Sequence, residues 1–351
     1  MLDKQTLEKL SSFLNTGGKK YLYYHRDQDG VCSAALLSKF YPGFRAVAKR
    51  GPNFSDEAMR IMVDNSPAVM VFLDLPVDQD AKSLRKFQKR VPSARIVIID
   101  HHLYEKDMNS ESIVHINPLF KSRVYQSASY LVYNILKKLH GNDVKRFAWM
   151  AMIGAIGDYD LSGSRDLEKE CRKNFPHLLG KDPKNSELAK ASGLLGAAIT
   201  LKAWKGADEA LKILTKAEKY EDFSSVTSFR KYKEEVDEEF KRTIEKAQKE
   251  EFPEYNLLIF RIETDLSLVS RTANFLSDKN HNKIIIVRKK SNSQWKFSVR
   301  YQAGKINLGE LVKKAIGGIG AGGGHPRAAA GITKKWKVFR EKFLKEIKEA
   351  S

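Results

Sequence analysis

The stretch RIVIIDHH, residues 95–102, runs four consecutive β-branched residues, Ile96 to Ile99, straight into a carboxylate and two imidazoles. A continuous apolar run this short reads as a strand buried on both faces, as in parallel sheets covered by helices. Similar runs stand at YLYYH (residues 21–25), Phe44–Ala48, VMVFLD (residues 69–74) and Ser112–Ile116. Amphipathic stretches at Val31–Tyr41, Ser83–Val91, Ser127–His140 and Val144–Ile156 separate or follow them, with a further helical block at about Ser186–Trp204. Strands alternating with helices predict a doubly wound α/β domain with a parallel sheet.

The ends of those strands carry the chemistry. In open α/β sheets, ligands collect at the carboxyl ends of the strands. Here the first strand runs into His25-Arg26-Asp27-Gln28-Asp29-Gly30, the third into Asp74 and the fourth into Asp100-His101-His102, while the helix from Val144 leads to Asp158. An aspartate at one strand end is ordinarily a helix N-cap, and an isolated His-His pair is ordinary polar structure. Repetition at successive strand ends is a different matter. Five carboxylates in one small volume repel each other by several kcal/mol without countercharge. Divalent metal ions supply it, and a mixed His/Asp set favours a borderline ion such as Mn²⁺ over the all-oxygen cage of Ca²⁺. The donors suffice for two ions sharing a carboxylate, an arrangement that clamps the attacking and leaving oxygens of a phosphate.

His25-x-Asp27-x-Asp29-Gly30, Asp74, the Asp100-His101-His102 triplet and Asp158 in GAIGDYD resemble, in order, four motifs of the DHH phosphoesterase superfamily. Gly322-Gly323-Gly324-His325-Pro326-x-Ala328-Ala329-Ala330-Gly331 resembles the glycine-rich signature of the DHH-associated C-terminal domain. The compact first motif is closest to RecJ-like and archaeal members. The resemblance implies two Mn²⁺ ions, with Mg²⁺ or Co²⁺ as substitutes. His25 and Asp27 would hold the first, Asp29, His101 and Asp158 the second, and Asp74 would bridge both. Asp100 would orient the site and His102 would stabilise charge on the scissile phosphate, the two catalytic assignments. Water activated between the ions would expel a 3′ oxygen and leave 5′ phosphates.

The C-terminal part reads separately. Of the net charge of +19, the residues from Glu254 onward carry +12, from 20 Lys and Arg against 8 Asp and Glu. The preceding 253 residues, where the acidic ligands lie, carry the other +7. A Lys- and Glu-rich run expected as helix over about 205–250 stops at Pro253. The expected organisation is therefore a metal-binding catalytic domain (1–204), a helical connector (205–253) and a smaller α/β substrate-binding domain (254–351), with the active site in the cleft between the two domains. The glycines from Gly317 to Gly324 read as a loop whose backbone N–H groups approach an anion. Arg300, His325 and Arg327 would add donors to Gly322, Gly323 and Gly324 as the substrate-binding set.

Only Cys32 and Cys171 are present, which excludes a disulfide scaffold, and 42% hydrophobic residues exclude wholesale disorder. With no apolar run of membrane-spanning length and a polar N-terminus, the expectation is a soluble, cytoplasmic protein. The leading functional expectation is a Mn²⁺-dependent exonuclease on single-stranded DNA or RNA, in DNA repair or RNA degradation, releasing 5′-mononucleotides. The alternatives are a phosphodiesterase of short oligonucleotides or cyclic di-AMP, and a non-catalytic nucleic-acid-binding factor with a replication or repair protein partner.

Overall fold

The computed structural model describes residues 3–122 and 124–350. The chain divides into two compact units, one up to Lys233 and one from Glu234 onward.

The first unit holds a five-stranded sheet of β1 (Lys20–His25), β2 (Phe44–Lys49), β3 (Val69–Leu73), β4 (Arg95–Ile99) and β5 (Ile113–Ile116) in the order β2-β1-β3-β4-β5, every pairing parallel. The apolar runs predict this, because alternate residues find a core on either side. Leu22, Tyr24, Val71, Leu73, Val97 and Ile99 pack against one set of helices, which includes α1 (Lys4–Leu14), α2 (Gln28–Phe40), α5 (Ala128–His140), α6 (Ala148–Gly157) and α9 (Glu187–Lys202). Tyr23, Met70, Phe72, Ile96 and Ile98 pack on the other face, against α3 (Asp56–Asp64) and α4 (Ala81–Arg90). The remaining helices are α7 (Arg165–Asn174), α8 (Pro176–Leu179), α10 (Trp204–Lys216), α11 (Tyr220–Ser224) and α12 (Thr227–Glu245), the last crossing from one unit into the other.

The strand order places the functional crevice. From β1 the chain steps outward to β2, then crosses to the other side of β1 for β3. Connections leave in opposite directions there, which opens a crevice at the carboxyl ends of β1 and β3. His25 ends β1 and Asp74 follows β3.

The second unit is a mixed six-stranded sheet, β10-β11-β9-β8-β7-β6, in which β7 and β8 are parallel and the other pairings antiparallel. Its strands are β6 (Gln248–Phe252), β7 (Leu257–Ile262), β8 (Ile284–Ser291), β9 (Gln294–Arg300), β10 (Gly320–His325) and β11 (Ala328–Thr333). Helices α14 (Leu308–Ile316) and α15 (Trp336–Ala350) cover one face through Phe297, Val299, Trp336, Phe339 and Phe343. Helix α13 (Val269–Asp278) covers part of the other through Ala273 and Leu276, on Ile285 and Val287.

Two sequence expectations are corrected here. The Lys/Glu-rich run is not helical to residue 250: α12 ends at Glu245 and Gln248–Phe252 is the edge strand β6, paired with β7. The glycine-rich segment is not a loop either. Gly320–His325 is an edge strand, antiparallel to β11, with Pro326 and Arg327 as its two-residue turn. Glycine has poor strand propensity, but small residues let this edge lie close to its neighbours: a Cβ at Gly322 would crowd the Ala330 carbonyl oxygen and the Ile316 side chain.

Candidate metal centre

The first motif is a strand end folded directly onto a helix start. Asp27 is the N-cap of α2, its Oδ1 accepting from the Gly30 N–H at 2.9 Å while its Oδ2 lies 2.6 Å from His25 Nδ1. The helix therefore packs on the backbone of His25 itself, and a Cβ on Gly30 would overlap the His25 carbonyl. Only glycine fits this approach. Gly30→Ala is expected to cost about 3 kcal/mol or more and to weaken divalent-metal binding together with stability. Denaturant unfolding and metal titration on the same samples check this, and an unchanged midpoint would contradict it.

Asp29, in the first turn of α2, is buried, and both its oxygens are used locally. Oδ2 accepts from the Ala128 N–H at 2.7 Å and Oδ1 from the Ser129 N–H at 2.8 Å, so Asp29 receives N–H groups at the start of α5 that have no partner within the helix. Gly154 in α6 keeps room for this: a Cβ there would collide with the Ser129 side chain and lie 3.1 Å from Asp29 Oδ1. Asp74 adopts the left-handed backbone conformation, φ +58, sparsely populated outside glycine and tolerated by Asp and Asn. That turn sets its buried carboxylate amid two imidazoles, Oδ1 2.9 Å from His101 Nε2 and Oδ2 3.3 Å from His25 Nδ1. Asp100 is fully buried; it lies 2.8 Å from His102 Nδ1 and also accepts the His102 N–H. Asp158, the C-cap of α6, approaches His101 Nδ1 to 3.5 Å.

Three overlapping groups result, each with one donor atom per residue and all those atoms within 4.8 Å of one another. They are His25, Asp27 and Asp74; Asp29, His101 and Asp158; and Asp74, Asp100, His101 and His102. The eight residues proposed for metal and catalysis are thus brought together, with Asp74 and His101 common to more than one group.

The electrostatics show what the cluster lacks. Burial raises the Asp29 carboxyl to about 7, reinforced by the Asp74 charge, and burial raises Asp158 well above the carboxylate range. Burial also opposes the charged forms of His25 and His101, but their carboxylate neighbours outweigh it and hold both imidazoles well above the usual value. Asp74 goes the opposite way: burial works against its ionised form, yet its bonds to His101 and His25 hold it well below the carboxylate range. His101 Nδ1 is buried and makes no hydrogen bond, its nearest carboxylate being Asp158 at 3.5 Å. An orphaned imidazole nitrogen among excess carboxylates fits divalent metal ions.

The motifs did not signal Tyr125 or Asp160. The Tyr125 hydroxyl donates to Asp158 Oδ2, and its ring lies 4.8 Å from that of His101. Asp160 fixes the loop that carries Tyr125, accepting from the Ser127 N–H at 2.8 Å and the Gly163 N–H at 2.9 Å. The only available signal was the second aspartate of GDYD.

The expected substrate-binding residues lie in the second unit and do not all share a face. His325, Ala328 and Arg300 form one row across β10, β11 and β9, on the side of α13. Gly323, Ala330 and Ser298 form the next row, and a Cβ on Gly323 would meet nothing within 4 Å. Arg300 Nε donates to Asn274 Oδ1 of α13 at 2.5 Å and its Nη1 to the Val299 carbonyl at 2.9 Å, so the guanidinium is held in place. Gly322 and Gly324 alternate to the opposite side, and Arg327 sits at the hairpin tip against Gly304. Small residues thus leave a shallow floor with Arg300 and His325 at one end.

Among family models, "DHH family, N-terminal domain" matches residues 19–156 and "DHHA1 domain" matches residues 254–350. The fold is similar to that of RecJ from Thermus thermophilus in complex with Mn²⁺, with TM-score 0.74 and 17% identity over 98% of this chain and 54% of that one. The present chain thus spans about half the length of that RecJ. A second structure, of exonuclease RecJ bound to manganese, gives 0.67 and 16% over 98% of this chain and 94% of that one. A pGpG-specific phosphodiesterase, PggH from Vibrio cholerae, gives 0.52 and 16% over 95% and 100%. No curated protein sequence matches the chain. No described helix is long and apolar enough to cross a membrane.

Proposed function

We propose that this chain, which belongs to the DHH phosphoesterase superfamily, is a metal-dependent phosphodiesterase that removes nucleotides from an end of single-stranded DNA or RNA. The observation that carries the reading is the chain of overlapping donor groups, in which Asp74 links the His25 and Asp27 group to the one containing His101, and His101 links that to Asp29 and Asp158. His25 and Asp27 would hold the first ion, Asp29, His101 and Asp158 the second, with Asp74 common to both. The mixed imidazole and carboxylate donors suit Mn²⁺, the ion named for the two RecJ structures of similar fold. When bound, two such ions supply Lewis acidity at the phosphate and lower the pKa of the attacking water.

The chain's own residues supply the rest. Asp100 takes Nδ1 of His102 and leaves Nε2 to donate to a non-bridging phosphate oxygen. Burial disfavours the imidazolium of His102, but Asp100 more than offsets that and raises its pKa, which favours a protonated donor where negative charge develops. Tyr125 holds Asp158 in orientation, as partners of ligating carboxylates do. Attack at phosphorus would break the bond to the 3′ oxygen, which leaves with a proton, and the product keeps a 5′ phosphate. In the second unit, Arg300 and His325 would hold a substrate phosphate on the floor of β9, β11 and β10.

A polymer is favoured by the charge of +12 from Glu254 onward. The second reading, hydrolysis of dinucleotides, is supported by the likeness to PggH, whose whole chain is covered. Incubating 5′-labelled and 3′-labelled DNA and RNA 20-mers, and a dinucleotide, with Mn²⁺ separates the two. The expected result is progressive shortening of the 20-mers to mononucleotides from one end. Cleavage of the dinucleotide alone would replace the polymer reading, and inertness toward all of them would overturn both.

A further inference from the structure

The face of β9, β11 and β10 that carries Arg300 and His325 continues past them into a second basic feature. Alternation along β8 and β9 puts Lys289 and Lys296 on the same side as Ser298 and Arg300, since Val287 packs toward α13 while Phe297 and Val299 face α14 and α15. Lys289 and Lys296 are direct cross-strand partners. Like charges placed opposite each other in a sheet are destabilising. Both are half-buried and line a basin of about 530 Å³ with Ser270, Ser298, Ala321 and Ala330.

The surroundings are suited to an anion. Lys289 Nζ donates to the Leu266 carbonyl at 3.0 Å, which holds the ammonium beside the basin. The carboxylates facing it are Asp265 and Glu239, and Lys296 faces it from β9. Ser270 and Ser298 hydroxyls meet at 3.0 Å on the basin floor. Beside them Ala321, Gly322, Ala330 and Gly331 keep β10 and β11 low, while Ile332, the cross-strand partner of Lys296, and Val269 add apolar lining. Along β9, Lys296 and Arg300 are four residues apart, about 13 Å, which exceeds one internucleotide step.

We propose that Lys289 and Lys296 form a second phosphate subsite, engaged together with Arg300 and His325 by a linear strand of at least three nucleotides and out of reach of a dinucleotide. This rests on the phosphodiesterase reading above and names its substrate class: the chain holds a polymer by two separated phosphates on one sheet face.

The test compares full-length wild type with Lys289→Ala/Lys296→Ala and Lys289→Arg/Lys296→Arg. It reads kcat/KM for a single-stranded 20-mer and for a dinucleotide with Mn²⁺, and 20-mer binding by fluorescence anisotropy from 50 to 200 mM salt. The alanine pair should lower the 20-mer to dinucleotide ratio of kcat/KM about tenfold and reduce the salt slope by about 0.7, the share of one phosphate contact on a single strand. The arginine pair should restore both, which a loss of folding in the alanine pair could not mimic. An unchanged ratio and slope in the alanine pair, or an equal loss on both substrates, overturns the subsite. Wild-type protein inert toward both substrates overturns the phosphodiesterase reading itself, a result distinguishable from the first.

Discussion

Asp74→Asn should reduce Mn²⁺-dependent phosphodiester hydrolysis at least about a thousandfold while the protein stays folded. Asparagine is the informative replacement because Asp74 sits at φ +58, a conformation Asn adopts more readily than Ala. The substitution therefore keeps the backbone and the side-chain volume and removes only the charge. That charge is the one on which His25 and His101 both rest, at 3.3 and 2.9 Å. Without it, two donor groups lose their common member, and calorimetric titration should find at most one Mn²⁺ bound, weakly, where wild type should bind two. Asp100→Asn is the contrast: Asp100 holds His102, so two ions should still bind while turnover falls about a hundredfold through the lost orientation and charge of that imidazole. Hydrolysis by Asp74→Asn within tenfold of wild type would sink the shared-ligand mechanism.

The sequence disclosed the parts of this site that lie at strand ends, because a buried parallel strand is a continuous apolar run and its end is where the run breaks. RIVIIDHH and VMVFLD show both features in eight and six residues, and β4 and β3 end where those runs do. What it concealed depends on neighbours distant along the chain. Asp29 accepting the N–H groups of Ala128 and Ser129 is a contact across about a hundred residues, and no local pattern marks it. Tyr125 reaches Asp158 across 33 residues, from a segment that Asp160 holds through the Ser127 N–H. The strands β6 and β10 were hidden for a related reason. A Lys/Glu run has the composition of a helix, and a glycine run that of a loop, yet each is an edge strand whose conformation is set by pairing with β7 or β11. Local propensity is weak where cross-strand contact decides. The correction has a chemical consequence, since a pleated strand alternates its residues: Gly323 and His325 share the floor with Arg300, whereas Gly322 and Gly324 turn toward the side of α14.

Metal ions should stabilise the protein by more at pH 8 than at pH 6, with the melting temperature raised by about 5–10 °C at the higher pH and by half that or less at the lower. The sign follows from the metal-free charges. His25 and His101 have folded pKa values raised by their carboxylate partners, so their ion pairs stabilise the fold fully below about 6.5 and are lost as pH rises through the raised values. Asp29 is raised to about 7 by burial and the Asp74 charge; its ionised form is penalised, with no cost below about 3.9 and the full cost above 7. Asp74, held low, contributes at both pH values and is lost only in strong acid. Raising the pH from 6 to 8 therefore weakens the metal-free site on both counts. The same deprotonations free the donors that a divalent ion needs, so affinity rises as metal-free stability falls. Thermal melts with and without Mn²⁺ at the two pH values read the difference directly. Titration at pH 6 in buffers of different ionisation enthalpy should show protons released on binding, from the imidazoles and from Asp29. A metal-induced shift that is equal at both pH values, or binding without proton release, would mean that the ions do not enter among these donors.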